Sequence, residues 1–434
     1  MRKSARQGVA INPFYVLFCL YFFANLQSVI TLGLGAPIKV DSEEFTFSGA
    51  TIAISALALF SSLFACLVVY RTVLVSTKTR TDLVFGRQAS LMLALLQLSF
   101  LVFNAYYGVN IAGVEDEVQG NVALRLFYSV VQPDLIFLIM CIGIRSDRWF
   151  WCNVGIYGIS LLMRSWIGGF YLIAVVTAIR QYPISFSRKS LKYFGLVLAV
   201  GVGVLPLITS VKWFIRSGAG INEALDFLRE IGYANYLVDS LIYVVNRFQH
   251  LGHVALLAEN ARSLREAYES GAFIPYWMDA APQWLFLRLN EIDIVTINKF
   301  IVRYFFDSDN LAYASNPGIS GWFFILQYKM VFFIVYLLGI TLVPCIIILR
   351  YAGFKYFLLV SCFSLVYLFH GWIGAYANMV LYLLAFVLFR FLLVRPIILG
   401  RHRRIVHTDD KLKSGGSVIH SSADPHMRFT HLRA

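Results

Sequence analysis

Charged residues are scarce in this chain: they make up 14% of its 434 residues, whereas hydrophobic residues make up 59%. A soluble domain of this length would not need so much apolar surface, so the composition predicts an all-α, polytopic membrane protein. The six cysteines lie in or beside apolar runs without a Cys-x-x-Cys pair, which argues against a disulfide framework or a thiolate metal site. The net charge of +13 gathers at the ends of the apolar runs and in the C-terminal tail. That distribution is an orientation signal, and it argues against a nucleic-acid-binding surface.

Ten apolar runs predict about ten membrane spans. They lie at about 11–33, 46–70, 87–109, 122–144, 150–163, 167–180, 193–213, 330–349, 354–370 and 373–394. Threading them in order puts the basic connections on one side and the acidic segments at 41–44 and 115–117 on the other. The positive-inside rule then places both termini in the cytoplasm.

The spans and their connections predict four regions. Residues 1–213 would form a bundle of the first seven spans, and 330–394 would form the last three. Residues 214–329 would form a folded helical cap outside the membrane, where substrate chemistry is expected. Residues 395–434 are predicted to be a basic, disordered cytoplasmic tail.

One arginine stands between two short apolar runs, in the segment MRSWIGG at 163–169. A guanidinium near the hydrocarbon is costly unless it faces a polar cavity or an anion. Ser165, Gly168 and Gly169 leave room for a ligand to approach. Arg164 and Ser165 are therefore predicted to bind an anionic substrate, although an arginine that extends to a lipid headgroup would give the same pattern.

The cap carries a second arginine in an apolar setting, in the segment VVNRFQHLGH at 244–253. On one continuous helix Arg247 and His250 would share a face, and Arg265 would return to the same azimuth about five turns later. Since its neighbours are apolar, Arg247 is predicted to be buried or to lie on the membrane, and it then needs an anionic partner. The stretch 262–269 alternates basic and acidic residues, as a solvated, salt-bridged helix does.

The cap ends in a turn signal, in the segment SNPGISGW at 315–322. A helix is predicted to begin after Asn316 and Gly318, and its first turn would offer free backbone amides to an anion. The same sequence is also an ordinary helix start without a ligand.

The Arg-Ser-x-x-Gly-Gly segment, the cap arginine and the Asn-Pro-Gly-x-x-Gly segment together resemble the Wzy-type oligosaccharide repeat-unit polymerases, which are related to the O-antigen ligases. The resemblance covers about residues 161–349 in organisation. It implies a glycosyltransferase on the periplasmic side of the bacterial inner membrane. Such an enzyme moves a growing glycan from one undecaprenyl diphosphate carrier onto a second lipid-linked repeat unit, without a metal or another cofactor.

The resemblance also implies partners and residue roles. The partners would be the lipid-linked oligosaccharide and the bilayer, with a chain-length regulator and a flippase as further candidates and no nucleic acid. The catalytic residues would be Arg164, Arg247 and His250. The substrate-binding residues would be Arg164, Ser165, Arg247, Arg265, Asn316 and Gly318. A guanidinium fork suits a diphosphate and stabilises it as a leaving group.

The chain departs from the family pattern in two places. The ligases have a histidine shortly before the Gly-rich helix start, where this chain reads YASN at 313–316, which favours a polymerase. Polymerases often have an acidic residue after Pro-Gly, where this chain has Gly321 and Trp322. The general base therefore stays open among His250, His253, Asp307 and Asp309.

Six aromatic residues of the cap are candidates for stacking on sugars: Tyr233, Tyr236, Tyr243, Tyr276, Trp277 and Trp284. Three rival functions have a similar sequence signature. They are an O-antigen ligase, a flippase or other transporter of lipid-linked oligosaccharides, and a chemosensory receptor or channel.

Overall fold

The protein is described by a computed structural model. The described residues are 10–41, 43–79, 82–114, 121–185, 188–218, 221–280, 283, 285–287, 290, 295–306 and 314–390. The chain is mostly helical, and its fold is that of an all-α polytopic membrane protein. The described residues up to Leu384 belong to one compact unit, and the described residues 385–390 belong to a second. The predicted tail at 395–434 lies outside the described residues.

The helices follow one another in a simple order along the chain. They are α1 (Pro13–Gly33), α2 (Gly49–Ser76), α3 (Arg87–Tyr107), α4 (Val122–Val131), α5 (Pro133–Gly143), α6 (Asp147–Met163), α7 (Gly168–Gln181), α8 (Arg188–Arg216), α9 (Ile221–Ile231), α10 (Tyr233–Asn246), α11 (Leu251–Glu259), α12 (Ala261–Glu269), α13 (Ile297–Phe306), α14 (Gly321–Leu326), α15 (Met330–Tyr351), α16 (Phe354–Phe363) and α17 (Ile373–Phe389). Short 3-10 turns lie at Tyr276–Met278 and Gln327–Lys329, and a π-helical turn at Ser364–Leu368 extends α16.

Two pairs of short antiparallel strands complete the described structure. Strands β1 (Ala10–Ile11) and β4 (Ile184–Ser185) pair with Ala10 opposite Ser185. Strands β2 (Ile38–Val40) and β3 (Glu43–Phe45) form a hairpin directly after α1, with Val40 opposite Glu43.

Six helical runs among the described residues are long and apolar enough to cross a membrane. They are Pro13–Gly33, Gly49–Ser76, Arg87–Tyr107, Val122–Gly143, Leu198–Arg216 and Gly321–Tyr351. Helices α7, α16 with its π-helical turn, and α17 are apolar but shorter. The predicted count of ten spans and the predicted cap therefore stay predictions. The last long run begins at Gly321 and not at about 330, because the segments on both sides of the turn at 327–329 are helical.

The long helices are apolar outside and partly polar inside. Leu57, Val75 and Phe332 are exposed on their helices, as expected where lipid is the solvent. Inside, the Gln97 side chain of α3 donates to Asn153 of α6 at 2.8 Å, and both residues are buried. A hydrogen bond between two buried amides fixes which faces of the two helices meet.

The connections gather at two ends of the bundle. At the first end, the Leu83 amide donates to the Ala352 carbonyl at 2.9 Å. At the same end, Lys355 Nζ donates to the Arg180 carbonyl at 2.5 Å. We call this end the Arg180 end. Several of the connections that the sequence marks as basic thus lie together, while the side of the membrane that they face stays a prediction.

The opposite end collects the connections after α1, α3, α6 and α16, and we call it the Arg164 end. There the Ala112 amide donates to the Arg164 carbonyl at 2.8 Å. The Gly318 amide donates to the His370 carbonyl at 3.1 Å. The segments that the sequence singled out are therefore brought to one end of the bundle.

Candidate functional site

The structure corrects the expectation that Arg247 and His250 share one helical face. Helix α10 ends at Asn246, Arg247 is its C-terminal cap, and α11 begins only at Leu251. Arg247 is exposed, whereas His250 is buried. Arg265 lies in α12, beyond a further break, so the count of helical turns from Arg247 does not apply to it.

A single asparagine from α1 explains this break. The Asn25 side chain is fully buried, and its Nδ2 donates to the Phe248 carbonyl at 3.0 Å. Its Oδ1 accepts from the amides of His250 at 2.7 Å and Leu251 at 3.2 Å. One amide group thus satisfies a carbonyl at the end of α10 and caps the start of α11, with no proline or glycine in 246–251.

Three histidines, which we call the histidine cluster, lie next to this break: His250 and His253 are buried, and His370 is half-buried. The rings of His250 and His370 are 4.0 Å apart between centroids, and those of His250 and His253 are 6.3 Å apart. The Tyr21 hydroxyl hydrogen-bonds His370 Nε2 at 2.6 Å. Neither ring nitrogen of His250 has a hydrogen-bond partner among the described residues. Unsatisfied buried polar atoms of this kind are uncommon and are often ligand-binding or catalytic groups.

Burial and mutual repulsion keep two of these rings neutral. Burial lowers the pKa of His250 well below its usual value, and the charges of His370, His253 and Arg247 lower it further. Burial lowers the pKa of His370 to about 3, and Arg247 and His253 add to the effect. Both imidazoles are therefore uncharged hydrogen-bonding groups at neutral pH.

The third histidine has an acidic partner in the β2–β3 hairpin. Asp41 Oδ2 lies 3.4 Å from His253 Nε2 and accepts from Ser315 Oγ at 2.5 Å. Burial alone would raise the pKa of Asp41, but the hydrogen bonds from His253 and Ser315 and the charges of His253 and Arg247 outweigh it and lower that pKa. The Asp41 side chain is only 9% exposed. Because its carboxylate faces Nε2 of His253, the Nδ1 atom of that ring points away from Asp41. This Nδ1 atom has no partner among the described residues.

The Asn316–Gly318 segment packs directly on the histidine cluster. Trp372 Nε1 donates to Asn316 Oδ1 at 2.6 Å. Gly318 has a φ of +68°, and a Cβ there would lie 3.0 Å from Val254 Cγ2, so this turn needs glycine. The structure corrects the expectation of free amides in this segment, because the Gly318 and Ile319 amides donate to the His370 and Phe369 carbonyls.

Three basic side chains, Lys212, Arg216 and Arg247, form what we call the basic cluster. Lys212 Nζ donates to Tyr243 Oη at 2.6 Å, and Arg247 Nη2 donates to the same oxygen at 2.8 Å. Lys212 lies within electrostatic reach of both arginines. Burial would raise the pKa of Tyr243, but the charges of Arg247 and Lys212 and their hydrogen bonds lower it instead. The phenol oxygen therefore lies where the oxygen of an anionic ligand would be stabilised.

Arg247 connects the two clusters, and Arg216 reaches the loop beside Arg164. The charge of Arg247 is felt by Asp41, His250 and His370 as well as by Lys212. The Arg216 guanidinium packs on Gly113, where an added Cβ would lie 2.9 Å from Nη1. The neighbouring Ala112 is bonded to the Arg164 carbonyl.

Arg164 is buried, and its fork is bound to a carboxylate of this chain. Nη1 donates to Asp134 Oδ2 at 2.8 Å and Nη2 donates to Asp134 Oδ1 at 2.9 Å. Ser165, which follows it, is also buried and has a φ of +54°. The sequence reasoning did not identify Asp134.

The remaining predicted residues lie elsewhere or cannot be placed. Arg265 is half-buried in α12, which packs against α11 and α14. Asp307, Asp309 and Trp284 lie outside the described residues. Among the aromatic candidates, Tyr276 is buried beside Trp322, whereas Trp277 is exposed.

Sequence reasoning missed several residues of the site, which are Asn25, Asp41, Asp134, Lys212 and His370. Most of them carry one shared signal, because they are polar residues within or at the edge of an apolar run. Asp41 lacks that signal, since it belongs to a short acidic connection that reads as solvated.

Comparisons with known proteins give no further constraint: no family model, curated protein or solved structure matches this chain. In the described part of the chain, no group of three or more His, Cys, Asp or Glu side chains is arranged to hold a metal ion.

Proposed function

We propose that this protein is an integral-membrane glycosyltransferase that polymerises undecaprenyl-diphosphate-linked oligosaccharide units into a bacterial surface polysaccharide. The observation that carries the proposal is that Arg247, which shares the Tyr243 oxygen with Lys212, also lies within electrostatic reach of Asp41, His250 and His370 in the histidine cluster. Transfer of a sugar from a lipid diphosphate needs cations at the leaving group and a proton acceptor at the attacking hydroxyl. Both kinds of group lie here, at the end of the bundle where a carrier lipid in the bilayer would present its diphosphate.

The basic cluster would bind the donor diphosphate. Arg247 offers a planar fork, while Lys212 adds a point charge that is buried and therefore weakly screened. When the bond between the anomeric carbon and the diphosphate oxygen breaks, negative charge develops on that oxygen. Fixed cations stabilise this charge more than they stabilise the bound donor, which lowers the barrier.

Among the candidate bases that the structure describes, His253 is the best supported. The attacking hydroxyl of the acceptor sugar forms the new bond to the anomeric carbon, and its proton passes to the unpartnered Nδ1 of His253. The resulting imidazolium is stabilised by Asp41, which lies 3.4 Å from Nε2. His250 has no such partner, and its lowered pKa makes it a weaker proton acceptor and a neutral hydrogen-bond partner for the sugars.

The decisive assay uses the full-length protein in liposomes with purified lipid-linked repeat units. Lengthening of the glycan supports a polymerase, transfer to a lipid A–core acceptor supports a ligase, and movement across the bilayer alone supports a flippase. If none of these three activities appears, the result favours a receptor or channel.

Variants of the same protein test the assigned groups. Arg247→Ala and Arg164→Ala should abolish long chains, and lysine should substitute poorly because it lacks the fork. His253→Ala and Asp41→Asn should lower kcat by about a hundredfold or more, as the loss of a general base does, with a small change in KM. Arg262→Ala is the matched control, because its side chain is 90% exposed and bonds only Glu266 of the same helix among the described residues. Normal chain lengths with both Arg247→Ala and His253→Ala would refute this assignment of the site.

A further inference from the structure

The Arg164–Asp134 pair is a bidentate ion pair at the end of a membrane helix. Both terminal nitrogens of Arg164 bind Asp134, and its Nε donates to the Ser160 carbonyl at 3.3 Å. The exposed fraction is 7% for the arginine side chain and 22% for the aspartate side chain. The rings of Phe100 and Trp166 flank the guanidinium, with centroids 5.1 and 5.7 Å from Cζ. Each of the three guanidinium nitrogens therefore has a hydrogen-bond partner, and both terminal nitrogens are held by one carboxylate.

A break in the fourth membrane run positions this carboxylate. Gln132 has a φ of +46° and Pro133 begins α5, so α4 and α5 are separate helices. Asp134 lies in the first turn of α5, where the helix dipole stabilises a negative charge. The break in the helix thus positions the Asp134 carboxylate next to Arg164. Broken membrane helices form ion and substrate sites in other membrane proteins in the same way.

Three residues near the pair carry buried hydroxyl groups without a hydrogen-bond partner among the described residues. The groups are Ser160 Oγ, Ser165 Oγ and Tyr157 Oη. Ser160 and Ser165 lie one turn before and one residue after Arg164, and Tyr157 is within electrostatic reach of both charges of the pair. Three unpaired hydroxyls beside one guanidinium are donors for the oxygens of an anion larger than a carboxylate.

We infer that Asp134 occupies the position of a phosphate-type anion on Arg164, and that such a ligand binds by displacing Asp134. The identity of that ligand as a diphosphate rests on the proposed function. The exchange is between two anions on one fork, because a carboxylate and a phosphate present paired oxygens to a guanidinium in the same way. Asp134 would therefore keep Arg164 neutralised within the bundle until substrate arrives.

The test measures binding of inorganic pyrophosphate to the purified full-length protein in lipid nanodiscs. Asp134→Asn removes the competing charge and should tighten binding by about tenfold, the usual size of coupling between two linked binding events. Arg164→Ala should weaken binding, and the double variant should show no gain over Arg164→Ala. Asp147→Asn is the matched control, since it breaks the Arg180–Asp147 pair at the opposite end of the bundle and should leave the affinity unchanged.

A second measurement keeps the inference testable if Asp134→Asn folds poorly. In the wild-type protein with ¹³C-labelled aspartate, pyrophosphate should shift a carboxylate infrared band, and Arg164→Ala should abolish the shift. The inference is overturned if Asp134→Asn binds pyrophosphate no more tightly than the wild type, or if pyrophosphate leaves the aspartate bands unchanged. Neither measurement involves glycan, so the two proposals can fail separately. If the wild-type protein polymerises glycan but Asp134→Asn binds pyrophosphate no more tightly than the wild type, only the exchange is refuted. Failure to polymerise would refute the proposed function and leave the exchange standing.

Discussion

Replacing Asn25 with leucine tests the helix break that separates Arg247 from His250. Leucine has the same number and branching of side-chain heavy atoms as asparagine, so the change opens no cavity, but it removes the partner of three backbone groups that lie outside α1. These groups are the Phe248 carbonyl and the amides of His250 and Leu251. The Asn25 side chain is fully buried, so water does not readily replace it.

The magnitude follows from how well those groups find new partners. A side-chain hydrogen bond inside a membrane protein averages about 0.6 kcal/mol, so three of them give a lower value of about 2 kcal/mol. Leaving buried groups unsatisfied costs about 1–3 kcal/mol each, and partial relaxation brings the upper value to about 5 kcal/mol. We therefore expect Asn25→Leu to lower the free energy of unfolding by about 2–5 kcal/mol, a large fraction of the usual total stability.

The assay is reversible unfolding in mixed micelles, followed by the loss of helical circular dichroism. Asn235→Leu is the matched control, because Asn235 also donates to a backbone carbonyl, that of Ile231, but is exposed. Its effect should stay below about 0.5 kcal/mol. A loss of less than about 1 kcal/mol in Asn25→Leu would show that the break between α10 and α11 does not depend on this amide.

Three further predictions concern other parts of the chain. Burial raises the pKa of Asp279 from 3.8 to about 6, although the hydrogen bond from the Gly374 amide acts in the opposite direction. The stabilisation from the protonated Asp279 carboxyl is therefore present below about pH 4 and is lost as the pH rises through 6. The free energy of unfolding should therefore fall by at most about 3 kcal/mol between pH 4 and pH 7, and Asp279→Asn should flatten that part of the curve. Gly353→Ala should lower the free energy of unfolding by at least about 2 kcal/mol in the same unfolding assay, because Gly353 has a φ of +104° and an added Cβ would lie 2.6 Å from Asp82 Cα. A stability equal to that of the wild type would contradict this packing. Arg188→Cys should react with a membrane-impermeant thiol reagent only from the cytoplasmic side, and labelling from the periplasm would invert the predicted topology.

The class of the protein could be read from its sequence because that property is a sum over many residues. Long apolar runs with few charges allow only membrane helices, whatever their contacts. The same reasoning singled out Arg164, Arg247, His250 and Gly318 as candidates, since a charged or turn-forming residue next to an apolar run stands out locally. Among the described residues six helical runs reach spanning length, so the expected count of ten stays a prediction.

The partners of those residues were decided only by the tertiary structure. Asn25 contacts Phe248 across 223 positions, and Asp41 contacts Ser315 across 274. No periodicity in the sequence encodes such distances, so the sequence predicted a helical cap at 214–329 but not the break between Asn246 and Leu251. Arg164 gives the same lesson, because its need for an anion followed from its apolar neighbours, whereas its pairing with Asp134 depended on how two helix ends meet. A local pattern fixes which side chains leave water, and the packing of distant segments fixes which polar groups they find there.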